Sequence, residues 1–130
     1  MKTFSNSWKK SKSPRKQHKY AAQAPLHILR RFRSVHVSKV LREKYGFRNL
    51  VVRKQDKVKI LTGQFRGKEG LVLRIDTHRN KLYIEGCETT KKDGTKAAYP
   101  LHPSNVMLIE IKTDDKRRHP QLLSTEKKKK

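Results

Sequence analysis

Lys9, Lys10, Lys12, Arg15, Lys16 and Lys19 crowd into one short stretch, and Arg30, Arg31 and Arg33 follow closely. Arg42, Lys44, Arg48, Arg53 and Lys54 complete a front segment in which Glu43 is the only acid. Over residues 1–54 there are 16 Lys and Arg against that one acid, whereas residues 55–113 hold 11 against 7 and residues 114–130 hold 7 against 3. Guanidinium and ammonium groups at this density bind phosphate, Arg through paired N–H donors and Lys as a point charge. A formal charge of +23 on 130 residues also repels itself in a compact state unless a polyanion lies nearby. The polyanion is a nucleic acid, an anionic membrane or an acidic protein. No apolar run approaches the roughly 20 residues that span a bilayer. Met1–Lys12 is polar and basic, with none of the apolar core of a secretory signal. Nucleic acid is therefore the leading partner, and an intracellular location is expected.

Other chemistries find little support. Asp76, Glu85, Glu88 and Asp93 are scattered, with no paired-carboxylate spacing and no nucleophile motif around them. The histidines, His18, His27, His36, His78, His102 and His119, have no second ligand at metal spacing. Cys87 is the lone cysteine, so neither a zinc knuckle nor an intramolecular disulfide can form, which fits a reducing compartment. It reads as a small core residue at a strand end. The expectation is a chain that is not an enzyme, with no metal, no cofactor, no small-molecule substrate and no membrane partner.

The elements that must position the cations fall into four segments. Residues 1–20 have almost no apolar periodicity, and alone they cannot bury enough surface to offset their conformational entropy, so a disordered basic extension is expected there. Lys9–Lys16 has the composition of a nuclear localisation signal and equally that of a solvated tail. Residues 21–49 form a basic arm with two short helices. One starts at Pro25, suited to a first turn, and runs through about Arg33, with Leu26, Ile28, Leu29 and Phe32 among the arginines. The other runs from Ser38 as N-cap to Tyr45, with Gly46 just past its end. Val37, Val40, Leu41 and Tyr45 share one side of it. Helices this short need something to dock against.

From residue 50 to 113 the period changes to that of strands. Leu50–Val52, Lys57–Ile60, Leu71–Asp76, Leu82–Glu85 and Val106–Ile111 alternate in character or are β-prone, with a turn at His78–Asn80 and another over Pro100–Asn105. Glu88–Tyr99, centred on Asp93-Gly94, reads as a hairpin or loop. Four or five short strands with tight turns imply a mainly β fold, a small barrel. Residues 114–130 turn polar again and are expected to be a disordered basic tail.

Within that barrel, Gly63-Gln64-Phe65-Arg66-Gly67-Lys68-Glu69-Gly70 reads as a tight loop between two strands. Its three glycines permit positive φ and close backbone approach. Phe65 either packs beneath the loop or stacks on a base, and Arg66 and Lys68 place two cations at the tip. Together with Asp56-Lys57-Val58-Lys59-Ile60 before it and Leu71-Val72 after it, this stretch resembles the KOW motif of small SH3-like barrels, found in ribosomal and transcription-elongation proteins. The flanks, Ser38–Tyr45, Arg53–Asp56, His102–Val106 and Ala24–His27 with Arg30-Arg31, resemble one family among these. It is the large-subunit ribosomal family numbered twenty-four in the universal scheme and twenty-six in the eukaryotic one, in its eukaryotic and archaeal branch. The resemblance covers roughly residues 13–113, and Leu26 and Leu29 stand where more polar residues are expected.

The resemblance implies a structural, non-catalytic protein of the large ribosomal subunit that binds ribosomal RNA early in assembly, near the nascent-peptide exit. It implies neighbouring ribosomal proteins as further partners, and a cytoplasmic location reached by passage through the nucleus and nucleolus. The candidate RNA ligands of the arm are Arg15, Lys16, His18, Arg30, Arg31, Arg33, Arg42, Arg53 and Lys54; those of the barrel are Lys59, Gln64, Arg66 and Lys68. Two rival readings predict other features. A KOW module of an elongation factor calls for a large additional domain, and a histone-like DNA-compacting protein calls for long helices or Lys/Ala/Pro tracts.

Overall fold

The computed structural model describes residues 3–113 and Arg118. Among these residues, seven strands form one mixed sheet: β1 (Ser34–Val37), β2 (Asn49–Val51), β3 (Lys57–Ile60), β4 (Glu69–Asp76), β5 (Lys81–Thr90), β6 (Lys96–Leu101) and β7 (Val106–Glu110). Their order is β2-β1-β7-β3-β4-β5-β6. Only the β1–β7 pair is parallel among these pairings, with His36 opposite Met107 and Val37 opposite Leu108.

The sheet is curled, and its core says so. Every strand sends residues into one buried cluster, from Val35 and Val37 at one side through Val58, Ile60, Val72, Ile84 and Leu108 to Leu101 at the other. Seven strands about 4.8 Å apart, laid flat, would hold their outer members too far apart to share one core. The architecture is thus a small mainly β, barrel-like domain, as the strand periodicity predicts.

Local chemistry fixes the key turns. In the β3–β4 loop, Gly63 and Gly67 have φ of 95° and 85°, values that L side chains rarely adopt. Gly70 has a different constraint: a Cβ there would lie 2.6 Å from the Glu85 carbonyl oxygen and 2.9 Å from Ile84 Cγ2. Strand β5 crosses so closely that a side chain would force the backbones apart. Phe65 resolves the two options for it by packing under the loop, 7% exposed, its ring centroid 5.2 Å from that of Tyr99.

Three helices of the described residues lie around the barrel, α1 (Pro14–Ala22), α2 (Leu26–Phe32) and α3 (Lys39–Tyr45). Helix α3 has the predicted boundaries: Ser38 Oγ accepts the Leu41 N–H at 3.4 Å, and Gly46 ends it in the left-handed region. Leu41 and Tyr45 pack on the barrel core, but Val40 is 74% exposed and Val37 belongs to β1, so the expected apolar side is narrower than its periodicity. The segment expected to be disordered alone contains a 3-10 turn at Asn6–Lys10 and helix α1. It is not alone in the fold. Tyr20 joins Ala24, Ile28 and Leu29 in a second buried cluster, with Phe4, Trp8 and Phe32 against it. Gln17 Nε2 donates to the carbonyls of Trp8, Lys9 and Ser11, tying the 3-10 turn to α1. The expected C-terminal basic tail lies outside the described residues except for Arg118.

Candidate nucleic-acid interface

Helix α2 buries Ile28 and Leu29 in the second cluster, which turns Arg30 and Arg31 outward and leaves Arg33 at the helix end. The Val52 N–H donates to the Arg33 carbonyl at 3.2 Å, fastening that helix end to the chain just past β2. Next along the chain, the Arg53 N–H donates to the Asp56 carboxylate at 2.8 Å, which fixes the Arg53–Gln55 turn. The result is a cleft of about 310 Å3 lined by Arg30, Arg33, Arg53 and Lys54, with Val51, Val52 and Ile75 as its apolar lining. A smaller cavity of about 190 Å3 shares Arg30, Val51 and Arg53 with it and adds Arg118. No acid lines either one among the described residues.

The nearby carboxylate is already neutralised. Asp56 is fully buried and accepts from the backbone N–H groups of Arg53 and Lys112 and from both terminal nitrogens of Arg118. It therefore subtracts little from the positive field of the cleft. Burial first, and the nearby Arg30 second, push the Arg33 pKa down from the ordinary arginine value. The Arg33 Nε is also buried without a hydrogen-bond partner. An anion in the cleft would oppose the like-charge repulsion.

The thirteen residues singled out from the sequence thus divide. Arg30, Arg33, Arg53 and Lys54 come together in one cleft. Arg15, Lys16 and His18 are exposed along α1. Arg31 is exposed, its carbonyl accepting from Ser34 Oγ, and Arg42 is exposed on α3 with one nitrogen donating to the Val37 carbonyl at 3.3 Å. Gln64 and Arg66 are exposed on the β3–β4 loop, and Lys68 Nζ sits 5.2 Å from the Phe65 ring centroid. Lys59 is engaged within the protein, 3.2 Å from Glu69. Lys57 likewise pairs with Glu110 across β3 and β7.

Sequence reasoning missed the pairing of Asp56 with Arg118. Asp56 reads only as the start of the loop motif, and a residue 62 positions later gives no local signal of meeting it. Trp8 lies against the N-terminal cluster, with Lys19 Nζ 5.0 Å from its ring centroid. Cys87 is fully buried, and burial pushes its thiol pKa up despite Lys68. Among the described residues no three His, Cys, Asp or Glu gather in a way that could hold a metal, and no helix is long and apolar enough to cross a membrane. Compared with known families, residues 11–125 match the model described as the ribosomal proteins numbered twenty-six in eukaryotes and twenty-four in archaea.

Proposed function

The chain belongs to this family of eukaryotic and archaeal ribosomal proteins, structural proteins of the large subunit, and from that premise we propose that it binds large-subunit ribosomal RNA through its arm and barrel. The observation that carries this reading is the cleft where Arg30, Arg33, Arg53 and Lys54 converge with no acid in its described lining. A face needed only for solubility would mix charge signs. Phosphate oxygens are the natural counterpart of four cations converging on one cleft.

The mechanism is electrostatic and architectural. The barrel is the rigid base, and the cleft between α2 and the residues after β2 clamps the RNA backbone. The exposed cations Arg15, Lys16, Arg31 and Arg42 extend the interface, and Arg66 and Lys68 reach the RNA from the glycine loop. Phosphate contacts position the protein without reading sequence, so specificity comes from RNA shape. Ordering the rRNA in this way supports subunit assembly, near the nascent-peptide exit and beside neighbouring large-subunit proteins. A cytoplasmic ribosomal location follows, with passage through the nucleus or nucleolus for assembly.

The test is filter binding to large-subunit rRNA in a salt series, with the double variant Arg30→Gln/Lys54→Gln. Both side chains are exposed, so the fold tolerates the change. The log–log salt slope should become shallower by about two, roughly one for each phosphate partner removed. An unchanged slope would show that the cleft meets no phosphate.

A further inference from the structure

A second cleft, of about 360 Å3, lies where the N-terminal helices meet the barrel. Tyr20, Ala21 and Phe32 line it from the helical side, together with Lys9 and Gln17. Asn80, from the β4–β5 turn, and His102, before β7, line it from the barrel. Its size falls within the roughly 300–1,000 Å3 typical of small-ligand sites, and its make-up is also typical: aromatic surface with a few convergent polar groups.

Two of those polar groups come from the barrel. Ser104 engages His102 Nδ1, donating its N–H at 3.3 Å with its Oγ at 2.8 Å, which leaves Nε2 as the ring nitrogen for a ligand. Asn80 holds a positive φ of 51°, and its Oδ1 is buried with no hydrogen-bond partner. That oxygen is not committed to a protein group, and the Asn80 side chain belongs to the lining of the cleft. Charge narrows the choice further. Lys9 lines the cleft, exposed Lys10 and Arg79 adjoin its lining residues in the chain, and no acid is among the described residues that line it. This charge balance favours a ligand carried on an acidic backbone.

We propose that this cleft receives an unstacked base of the bound RNA, flanked by its aromatic lining and hydrogen-bonded at its edge by Asn80 and His102. The inference rests on the RNA-binding reading and gives it a component that phosphate contacts cannot supply, since base contacts respond to whether the RNA is single-stranded.

The test uses the full chain and two probes, a single-stranded oligoadenylate and a blunt RNA duplex with the same number of phosphates. Ala21→Trp fills the cleft from an exposed helical position without changing charge. Ala22→Trp, exposed on the same helix but outside the lining, is the control. Ala21→Trp should weaken single-strand binding about tenfold, the scale of a single base–aromatic stack, and leave duplex binding unchanged; Ala22→Trp should alter neither. An Ala21→Trp effect that is absent, or equal for both probes, overturns the proposal. Failure of the unsubstituted chain to bind either probe would overturn the RNA-binding reading as well. Independently of any variant, ultraviolet crosslinking within intact large subunits should attach a nucleotide to Tyr20 or Phe32. Crosslinks confined to other residues would count against the base site while leaving RNA binding intact.

Discussion

At the scale of single residues, Asp56 is the carboxylate on which the fold depends. It is fully buried, and Arg118 meets it with a side chain only 2% exposed. Removing one partner of a buried pair strands the other charge, which typically costs about 3–5 kcal/mol. Asp56→Ala leaves the Arg118 guanidinium with only the carbonyls of Val51 and Lys112 among these acceptors. Urea denaturation should show a loss of that size, and a loss below about 1 kcal/mol would mean the pair is not formed in solution. The half-buried Asp76 acts locally instead. Its Oδ1 accepts the N–H groups of His78 and Arg79, both at 3.1 Å. The hydrogen bond from the Arg79 amide, chief among the causes, holds its pKa below the ordinary carboxylate value. The folded pKa is lower than the unfolded one, so the contribution is complete above the ordinary carboxylate pKa. It is lost as pH falls through the depressed value. In an NMR titration the Arg79 amide should shift with a midpoint below the ordinary aspartate range; a midpoint at the ordinary value would show that the turn does not use this carboxylate.

At the scale of elements, local signals carried far in some places and failed in others. Helix α3 was legible because its caps are local: a serine before it and a glycine after it. The glycine loop was legible because its backbone needs are written in residue type, whereas the four basic residues of the cleft are among nine candidates in the arm, and nothing local says that these four converge. Strand β1 was not legible. Val35 and Val37 alternate with His36, but four residues between two helical patterns are too short to stand out. What makes them a strand is pairing with β2 and with β7, the latter far along the chain. Helix α1 escaped for a related reason. Its sole buried residue is Tyr20, and the cluster that stabilises it is assembled from Phe4, Trp8 and α2. The ring stack of Tyr20 on Phe4, with centroids 5.4 Å apart, is therefore the anchor of the segment. Tyr20→Ala should abolish hydrogen-exchange protection across Pro14–Ala22 while the amides of β3, β4 and β7 keep theirs. Protection unchanged in α1 would mean the helix does not depend on that cluster.

At the scale of the whole molecule, the distribution of charge separates the working parts. The front of the chain, 16 cations to one acid, supplies Arg30, Arg33, Arg53 and Lys54 to the cleft beside α2, whereas the outer faces of β3, β4 and β7 pair Lys57 and Lys59 with Glu110 and Glu69. On the proposed reading the paired sheet holds shape and the cations of the arm meet the RNA. If about ten cations meet phosphates, the affinity of the free protein for rRNA should fall about a thousandfold or more between low and moderate salt. Within the assembled subunit, many contacts formed at once should resist the same salt. The most direct measurement is therefore sedimentation of the native protein from its own cells across a salt series. The account predicts that it stays with the large subunit into high salt. Release at moderate salt, or migration with polymerase or chromatin instead, would contradict it and leave the KOW-like barrel as a shared fold alone.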